Sequence, residues 1–147
     1  MTDLDLSMEA IGLIAEAEKR LRARIRDAVD EGERIVFITE KGHLGQALGK
    51  EAKNLEMMRL LLKKDVKFVE WDDDKQIFVR NLFKPYDLQS VRMEMTPVPD
   101  SEQVRVRAIV EVEPEDKGKA IGKGGKNINL VRTLAKRHHQ IEEVKVL

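Results

Sequence analysis

One nine-residue segment, Ala120–Ile128, has the residue types and spacing to bind a phosphate. Its three glycines lack a Cβ and permit positive φ, so that an anion can approach the backbone closely. Lys123 and Lys126 can add charge-assisted contacts. The helix predicted to begin near Gly125 presents free N–H groups and the positive end of its dipole at the same point. The chemistry that this segment favours is therefore the binding of a phosphate chain.

A second copy of this segment occurs earlier in the chain. Residues 47–64 and 120–137 are identical at eight positions, where chance would give roughly one. The repeat predicts two units, with bounds at 1–72 and 73–147. The identical pairs are Ala47/Ala120, Gly49/Gly122, Lys50/Lys123, Lys53/Lys126, Asn54/Asn127, Arg59/Arg132, Leu61/Leu134 and Lys63/Lys136.

The charged residues balance overall but are unevenly placed. Lys and Arg number 27, as do Asp and Glu, so the formal net charge is zero. Seven Lys or Arg and no acid lie between Lys117 and Gln140, and six lie between Lys41 and Lys64 against two glutamates. Each repeat therefore places a locally basic region on a neutral body, which fits a groove for a polyanion.

Several classes of protein are disfavoured by composition and motifs. The chain has no cysteine, which excludes thiolate zinc sites, disulfides and cysteine nucleophiles. No apolar run is long enough to cross a membrane, and no signal peptide opens the chain, so we expect a soluble cytoplasmic protein. The glycines match neither a P-loop nor a dinucleotide fingerprint. We therefore expect no enzyme and no cofactor.

The remaining polar clusters have structural interpretations. His138 and His139 are adjacent on a predicted helix and point about 100° apart, so we expect helix C-terminal cations rather than metal ligands. The acidic run Asp72–Asp74 is expected to cap a helix rather than hold a cation. We predict no metal site. Arg105 and Arg107 share a strand face, and either border the groove or lie on ordinary surface.

The hydrophobic pattern predicts one order of elements in both units: helix, strand, strand, short helix, glycine turn, helix, strand. The predicted helices are 4–21, 42–48, 52–64, 74–83, 114–121 and 125–138. The predicted strands are 22–29, 34–39, 66–71, 88–96, 103–112 and 141–147. The predicted core positions of the helices are Met8, Ile11, Ala15, Leu21, Leu55, Met58 and Leu62. Met57, Met93 and Met95 are also assigned to the core.

These elements, with the glycine turn between two helices, resemble the type II KH domain of bacteria and archaea. The KH signature is Ile/Val-Ile-Gly-x-x-Gly-x-x-Ile, and only Ala120 departs from it. Two such units in a short chain are similar to the archaeal NusA-like transcription factors. The resemblance implies an α+β, two-layer fold with tandem KH domains. Each would have a three-stranded sheet with helices packed on one face.

By the same resemblance, Gly122–Gly125 would clamp the backbone of about four nucleotides of single-stranded RNA. The bases would lie on Ile121 and Ile128, with the strand 103–112 as the other wall of the groove. Asn127 would contact nucleic acid or hydrogen-bond the turn itself. The residues expected to bind RNA are Lys119, Ile121, Gly122, Lys123, Gly124, Gly125, Lys126, Asn127, Ile128 and Arg132.

The first unit departs from the pattern at its clamp, which reads Gly49-Lys50-Glu51-Ala52. Ala52 adds a Cβ, and Glu51 places a carboxylate where a phosphate would lie. We expect this site to be impaired, as a scaffold or a weak second RNA site formed by Gly49, Lys50, Lys53 and Asn54. Gly42–Gly45 also spells Gly-x-x-Gly, but one short helix too early. Gly45 aligns with Gly118, which we attribute to a shared packing constraint.

The function that these expectations favour is the binding of single-stranded RNA in transcription elongation, termination or antitermination. The resemblance implies the nascent transcript and RNA polymerase as partners, and we expect a monomer. Two alternatives remain open. The chain could serve the ribosome or RNA maturation with the same fold, or it could be a protein-interaction scaffold with a vestigial clamp. Titration with an oligonucleotide separates the scaffold from the other two, because a scaffold would show no salt-sensitive affinity for RNA.

Overall fold

The computed structural model describes residues 7–147. It folds as two compact units divided between Asp72 and Asp73. In the first unit the elements are α1 (Met8–Leu21), β1 (Ile25–Asp30), β2 (Arg34–Thr39), α2 (Leu44–Leu48), α3 (Lys53–Leu62) and β3 (Asp65–Glu70). In the second they are α4 (Lys75–Phe83), β4 (Leu88–Pro97), β5 (Val104–Val112), α5 (Lys117–Ile121), α6 (Lys126–His139) and β6 (Ile141–Val146).

The same sheet topology occurs in both units. Each sheet has three strands, in the order β1-β2-β3 and β4-β5-β6. The first two strands of each sheet are antiparallel, since a short hairpin joins them, and the third is parallel to the central strand. A parallel pair needs a long crossover connection, which the two helices around the glycine turn provide. The predicted α+β fold, with a three-stranded sheet and packed helices in each unit, is confirmed.

Side-chain caps explain where two of the helices begin, and one of them lies in the acidic run that was predicted to cap a helix. Ser7 precedes α1, and its Oγ accepts a hydrogen bond from the amide of Ala10 at 3.1 Å. Asp74 precedes α4, and its carboxylate accepts from the amides of Gln76 and Ile77 at 2.8 and 3.2 Å. Each cap satisfies donors that the first helical turn leaves free. The predicted residues Leu4–Leu6 of the first helix lie outside the described residues.

Burial corrects the predicted core face of α1. Met8 and Ile11 are exposed, by 83% and 47%, and Ala15 is exposed as well. Leu21 is buried as predicted, and the other buried positions are Ala10 and Ala17. This side of α1 packs on β1. Leu13 and Ile14 are partly buried against the same core. The stripe on α3 is confirmed, with Met58 fully buried and Leu55 and Leu62 packed against the same core.

The assignment of the other methionines to the core was largely wrong. Met57 is 36% exposed, because adjacent residues of a helix point about 100° apart and Met58 is the one that faces the core. Met95 is 65% exposed near the end of the β4–β5 hairpin, where Val104 is also exposed. Met93 is half-buried.

The histidine pair lies at the C-terminal end of α6, as predicted. His139 is buried, with 6% of its surface exposed. The rings of His138 and His139 lie 5.6 and 5.2 Å from the ring of Phe78 in α4, centroid to centroid. His139 therefore belongs to the packing between α4 and α6.

Candidate nucleic-acid interface

The loop between α5 and α6 has a backbone that favours glycine. Gly124 and Gly125 both adopt the left-handed conformation, with φ of 64° and 76°. Gly122 has φ of 81° and ψ of 162°, a combination essentially restricted to glycine. The three glycines of the predicted clamp thus lie where the chain must turn sharply from one helix into the next.

Gly122 also lacks space for a side chain. A Cβ at this position would lie 2.8 Å from the amide nitrogen of Asn127, which is far inside van der Waals contact. The side chain of Asn127 closes the same turn, because its Nδ2 donates to the carbonyl of Ala120 at 2.7 Å. Asn127 therefore ties the end of α5 to the start of α6, which is the second of the two roles considered for it.

The apex of the loop has free backbone donors. The amides of Gly122, Gly125 and Lys126 are paired, with the carbonyls of Gly118, Gly122 and Lys123 respectively. In the described part of the chain, the amides of Lys123 and Gly124 have no recorded acceptor. Both residues are exposed, and no described atom lies within 4 Å of a Cβ placed on Gly124. Two consecutive open N–H groups of this kind can bind an anion.

The charge around the apex is positive. Lys119, Lys123 and Lys126 are exposed, and no ion pair is recorded for Lys119 or Lys123 within residues 7–147. Arg132 lies farther along α6, where its Nε donates to the carbonyl of Val144 in β6 at 3.3 Å. Arg132 is thus held partly by the protein, with its side chain bordering the groove described next.

An open groove of about 390 Å³ lies beside the loop. Ile121 and Ile128 line it, so these two predicted site residues lie together. Polar groups from α6 and β6 complete the lining. The six lining residues are Ile121, Ile128, Arg132, Glu143, Lys145 and Val146.

The wall of the groove opposite the helices is β6, and the prediction of the strand 103–112 was wrong. That strand is β5, whose two edges are both bonded, to β4 and to β6. β6 is the edge strand beside α6. The amide of Leu147 donates to the carbonyl of Val110 in β5, on one side of the strand. The carbonyl of Val144 accepts from Arg132 in α6, on the other side. Backbone groups of β6 therefore alternate between β5 and α6. Sequence reasoning missed Glu143, Lys145 and Val146, because the order of the elements along the chain does not give the order of the strands in the sheet.

Arg107 is engaged with carboxylates on the sheet. Its guanidinium donates to Glu94 at 2.7 Å and lies 3.9 Å from Glu143. The hydrogen bond from Arg107, with another from Arg92, holds the pKa of Glu94 below its usual range. Arg107 is therefore ordinary paired surface of β5 rather than an open cation of the groove.

The equivalent loop in the first unit has the same backbone with different side chains. Glu51 and Ala52 adopt left-handed conformations with φ of 55° and 58°, as Gly124 and Gly125 do. Asn54 donates from Nδ2 to the carbonyl of Gln46 at 3.2 Å, which parallels the bond made by Asn127. The geometry of the clamp is thus repeated, but a carboxylate occupies its apex.

The cation that follows the first loop is also differently engaged. Arg59 aligns with Arg132, but its Nε lies 3.1 Å from the carboxylate of Asp65. The same carboxylate accepts the amide of Val66 in the edge strand β3. Arg59 is therefore paired with a carboxylate of its own unit.

The attribution of Gly45 and Gly118 to a shared packing constraint was wrong. No described atom lies within 4 Å of a Cβ built on either glycine, apart from the helix's own backbone, and neither has a positive φ. Both residues are exposed.

Comparison with known proteins agrees with this architecture. A family model described as the NusA-like second KH domain matches residues 75–146. A crystal structure of APE1850 superposes with a TM-score of 0.75 at 26% identity, covering 97% of this chain and all of that one.

Curated relatives from archaea match over nearly the full chain. The protein from Methanocaldococcus jannaschii named "Probable transcription termination protein NusA" is 31% identical over 147 residues, which is all of this chain and 77% of that protein. A protein of the same name from Halobacterium salinarum is 32% identical over 96% of both chains. The chain therefore belongs to the archaeal NusA-like family of tandem KH-domain proteins.

Proposed function

We propose that this protein binds single-stranded RNA through its second unit and acts in transcription termination or antitermination, with the nascent transcript as its ligand and RNA polymerase as a partner. The observation that carries the RNA-binding part is the loop apex. There, the amides of Lys123 and Gly124 are open, exposed lysines surround them, and a groove with a mixed apolar and charged lining begins at Ile121. A phosphate at the apex would place the adjoining nucleotides over the groove.

The groove suits bases rather than a second phosphate. Ile121 is half-buried and offers apolar contact, whereas Ile128 is largely buried at the lining of the groove. The edge strand β6 offers backbone donors and acceptors of the kind that pair with base edges. Few aromatic residues are available, since the chain has one Trp and one Tyr. Recognition would therefore use backbone groups and aliphatic contact more than stacking.

The first unit is proposed to contribute little to binding. Glu51 occupies the apex of its loop, where a phosphate would meet a like charge. Its lysines at 50 and 53 remain exposed, which would leave a weak extension of the RNA path rather than a second clamp.

The experiment is a paired substitution in the two loops. The double variant Lys123→Asp/Gly124→Asp should weaken binding to a single-stranded RNA by more than about tenfold, since it replaces a charge-assisted contact with repulsion. The matched variant Lys50→Asp/Glu51→Asp in the first loop should change affinity by less than about threefold. Circular dichroism establishes that both remain folded. If the first-loop variant weakens binding as much or more, the RNA site lies in the first unit and the proposal has placed it in the wrong one.

The role in transcription is supported by the names of the relatives, and it has a separate test. The tagged protein would be purified from its own cells, with and without ribonuclease treatment. Recovery of RNA polymerase subunits with the tagged protein, in either condition, supports the proposal. Recovery of ribosomal particles instead, lost in the variant Lys123→Asp/Gly124→Asp, would favour a function at the ribosome or in RNA maturation. We propose that it acts in the cytoplasm, and among the described residues no helix is long and apolar enough to span a bilayer.

A further inference from the structure

The strand β4 forms one outer edge of the sheet in the second unit, and part of that edge is open. Val98 donates its amide to the carbonyl of Gln103 in the hairpin at 3.0 Å, and the backbone groups of an antiparallel strand point alternately to its two sides. The N–H and C=O groups of Val91, Met93 and Met95 therefore point away from β5. In the described chain β4 pairs with β5 alone, and no partner is recorded for these outward groups. An open strand edge is a template for a further strand.

The open segment has a defined length, because both of its ends are closed. Leu88 lies before the register shift in β4, and its carbonyl accepts a hydrogen bond from the guanidinium of Arg80 at 2.9 Å. Pro97, at the other end, has no N–H group to donate. The open edge is therefore the stretch from Val91 to Met95.

The two faces of this segment carry different side chains. On one face Met95 is 65% exposed, although it lies in the same row as the buried Val91. On the other face Arg92 donates to the carboxylate of Glu94 at 3.0 Å, and the Arg92 side chain remains 64% exposed. The segment thus has an uncovered apolar side chain, and it has opposite charges placed evenly about Met93.

We infer that β4 pairs with β4 of a second copy of this chain, antiparallel and across a twofold axis at Met93. In this register Val91 lies opposite Met95 of the second copy, and Met93 lies opposite its own equivalent. These are the outward-facing residues, so their N–H and C=O groups all form hydrogen bonds between the copies. Arg92 lies opposite Glu94 of the second copy, and the same pair recurs by symmetry. The two three-stranded sheets become one sheet of six strands.

The charges favour a second copy as the occupant and also fix the register. Residues directly opposite each other in an antiparallel pair interact, and opposite charges stabilise the pair whereas like charges destabilise it. A strand matches β4 when it carries an acid and a base in reverse order about its centre, and β4 itself meets this condition. Moving the second strand by two residues in either direction places Arg92 opposite Arg92, or Glu94 opposite Glu94. The twofold axis at Met93 therefore gives the favourable register.

The contact is short, so we expect a weak dimer. A single strand edge buries less than the roughly 1,600 Å² of a standard interface. We expect a dissociation constant of about 10–100 µM. Sedimentation equilibrium of the full chain, at concentrations from about 5 to 500 µM, brackets this value. The measurement contains no RNA, so its outcome is independent of the proposed RNA site.

A proline variant tests the backbone pairing. Met95→Pro removes an N–H group that points away from β5 and adds a ring at the open edge. It should raise the dissociation constant of the dimer by at least about tenfold. Val104→Pro is the matched control, because Val104 is exposed in the same hairpin but lies on β5, opposite Pro97. It should leave the dissociation constant within about twofold of wild type, and circular dichroism establishes that both variants are folded.

Two charge variants test the register without changing the backbone. Arg92→Glu brings two glutamates opposite each other, and Glu94→Arg brings two arginines opposite each other. Each variant alone should dimerise at least about tenfold more weakly than wild type. An equimolar mixture of the two should form a heterodimer with an affinity within about threefold of wild type, because each variant supplies the charge that the other lacks.

Three results would overturn the inference. The first is a wild-type protein that remains a monomer over the whole concentration range, as the sequence alone led us to expect. The second is a dimer that is unaffected by Met95→Pro. The third is a pair of charge variants that fail to restore dimerisation when mixed. The second and third results would place the contact between copies on another surface or in another register.

Discussion

Replacing Ala52 with glycine should stabilise the first unit, against the usual effect of glycine. Ala52 has φ of 58° and ψ of 27°, and a left-handed conformation costs an L-residue roughly 1–2 kcal/mol. Glycine at this position releases that strain. It also raises the entropy of the unfolded chain, which offsets about 0.4–1 kcal/mol of the gain. The difference predicts a net increase in the free energy of unfolding of about 0.8 kcal/mol.

The chain carries its own probe and its own control for this measurement. Trp71 is the only tryptophan, lies in the unit that ends at Asp72, and has the guanidinium of Arg26 3.7 Å above its ring. Its fluorescence during urea denaturation therefore reports on unfolding of the first unit. Ala15→Gly in α1 is the control, because Ala15 is exposed in an ordinary helix, where glycine costs about 1 kcal/mol.

Opposite signs for the two variants are the expected result. If Ala52→Gly lowers the free energy of unfolding by about as much as Ala15→Gly, the first loop is not left-handed in solution. The claim that both units share one loop geometry would then be refuted.

Two further variants test the second loop and a buried lysine. Asn127→Ala removes the 2.7 Å hydrogen bond to the carbonyl of Ala120; we expect a loss of about 1 kcal/mol in the free energy of unfolding and weaker RNA binding, and unchanged affinity would show that this bond does not set the loop. Burial, with the nearby charge of Arg34, lowers the pKa of Lys67 from its ordinary 10.5 to about 8. The unfolded chain therefore binds more protons between these two values, so the contribution of Lys67 to stability rises with pH from about 8 to 10.5. Lys67→Met should remove that rise in denaturation curves recorded from pH 7 to 10.5, and an undiminished rise would show that Lys67 is not its source.

The repeat made the fold and the position of the loop predictable from the sequence. Eight identities across 18 residues fixed the correspondence of the two units, and glycine spacing placed the turn between two helices. The backbone of the loop then followed from the residues that tolerate positive φ. Glu51 and Ala52 show the limit of that reasoning, because they adopt the same conformation without being glycine.

Other features depended on packing that periodicity does not encode. The buried face of α1 is formed partly by Ala10 and Ala17. A prediction from the hydrophobic pattern gives more weight to large side chains than to alanine, and so it missed these two positions. The wall of the groove depended on strand order, which placed β5 in the centre and β6 at the edge. His139 is buried by contact with Phe78, 61 residues earlier in the chain, and no local signal marks such a contact.

The central claim is that the open amides of Lys123 and Gly124 hold a phosphate of single-stranded RNA. A titration of the ¹⁵N-labelled protein with an RNA octamer, followed by amide resonances, tests it most directly. The account predicts that the largest shifts occur at Lys123 and Gly124 and grow smaller as salt is added, with little change at Lys50 and Glu51. Saturating RNA that shifts other amides while these two stay in place would contradict it.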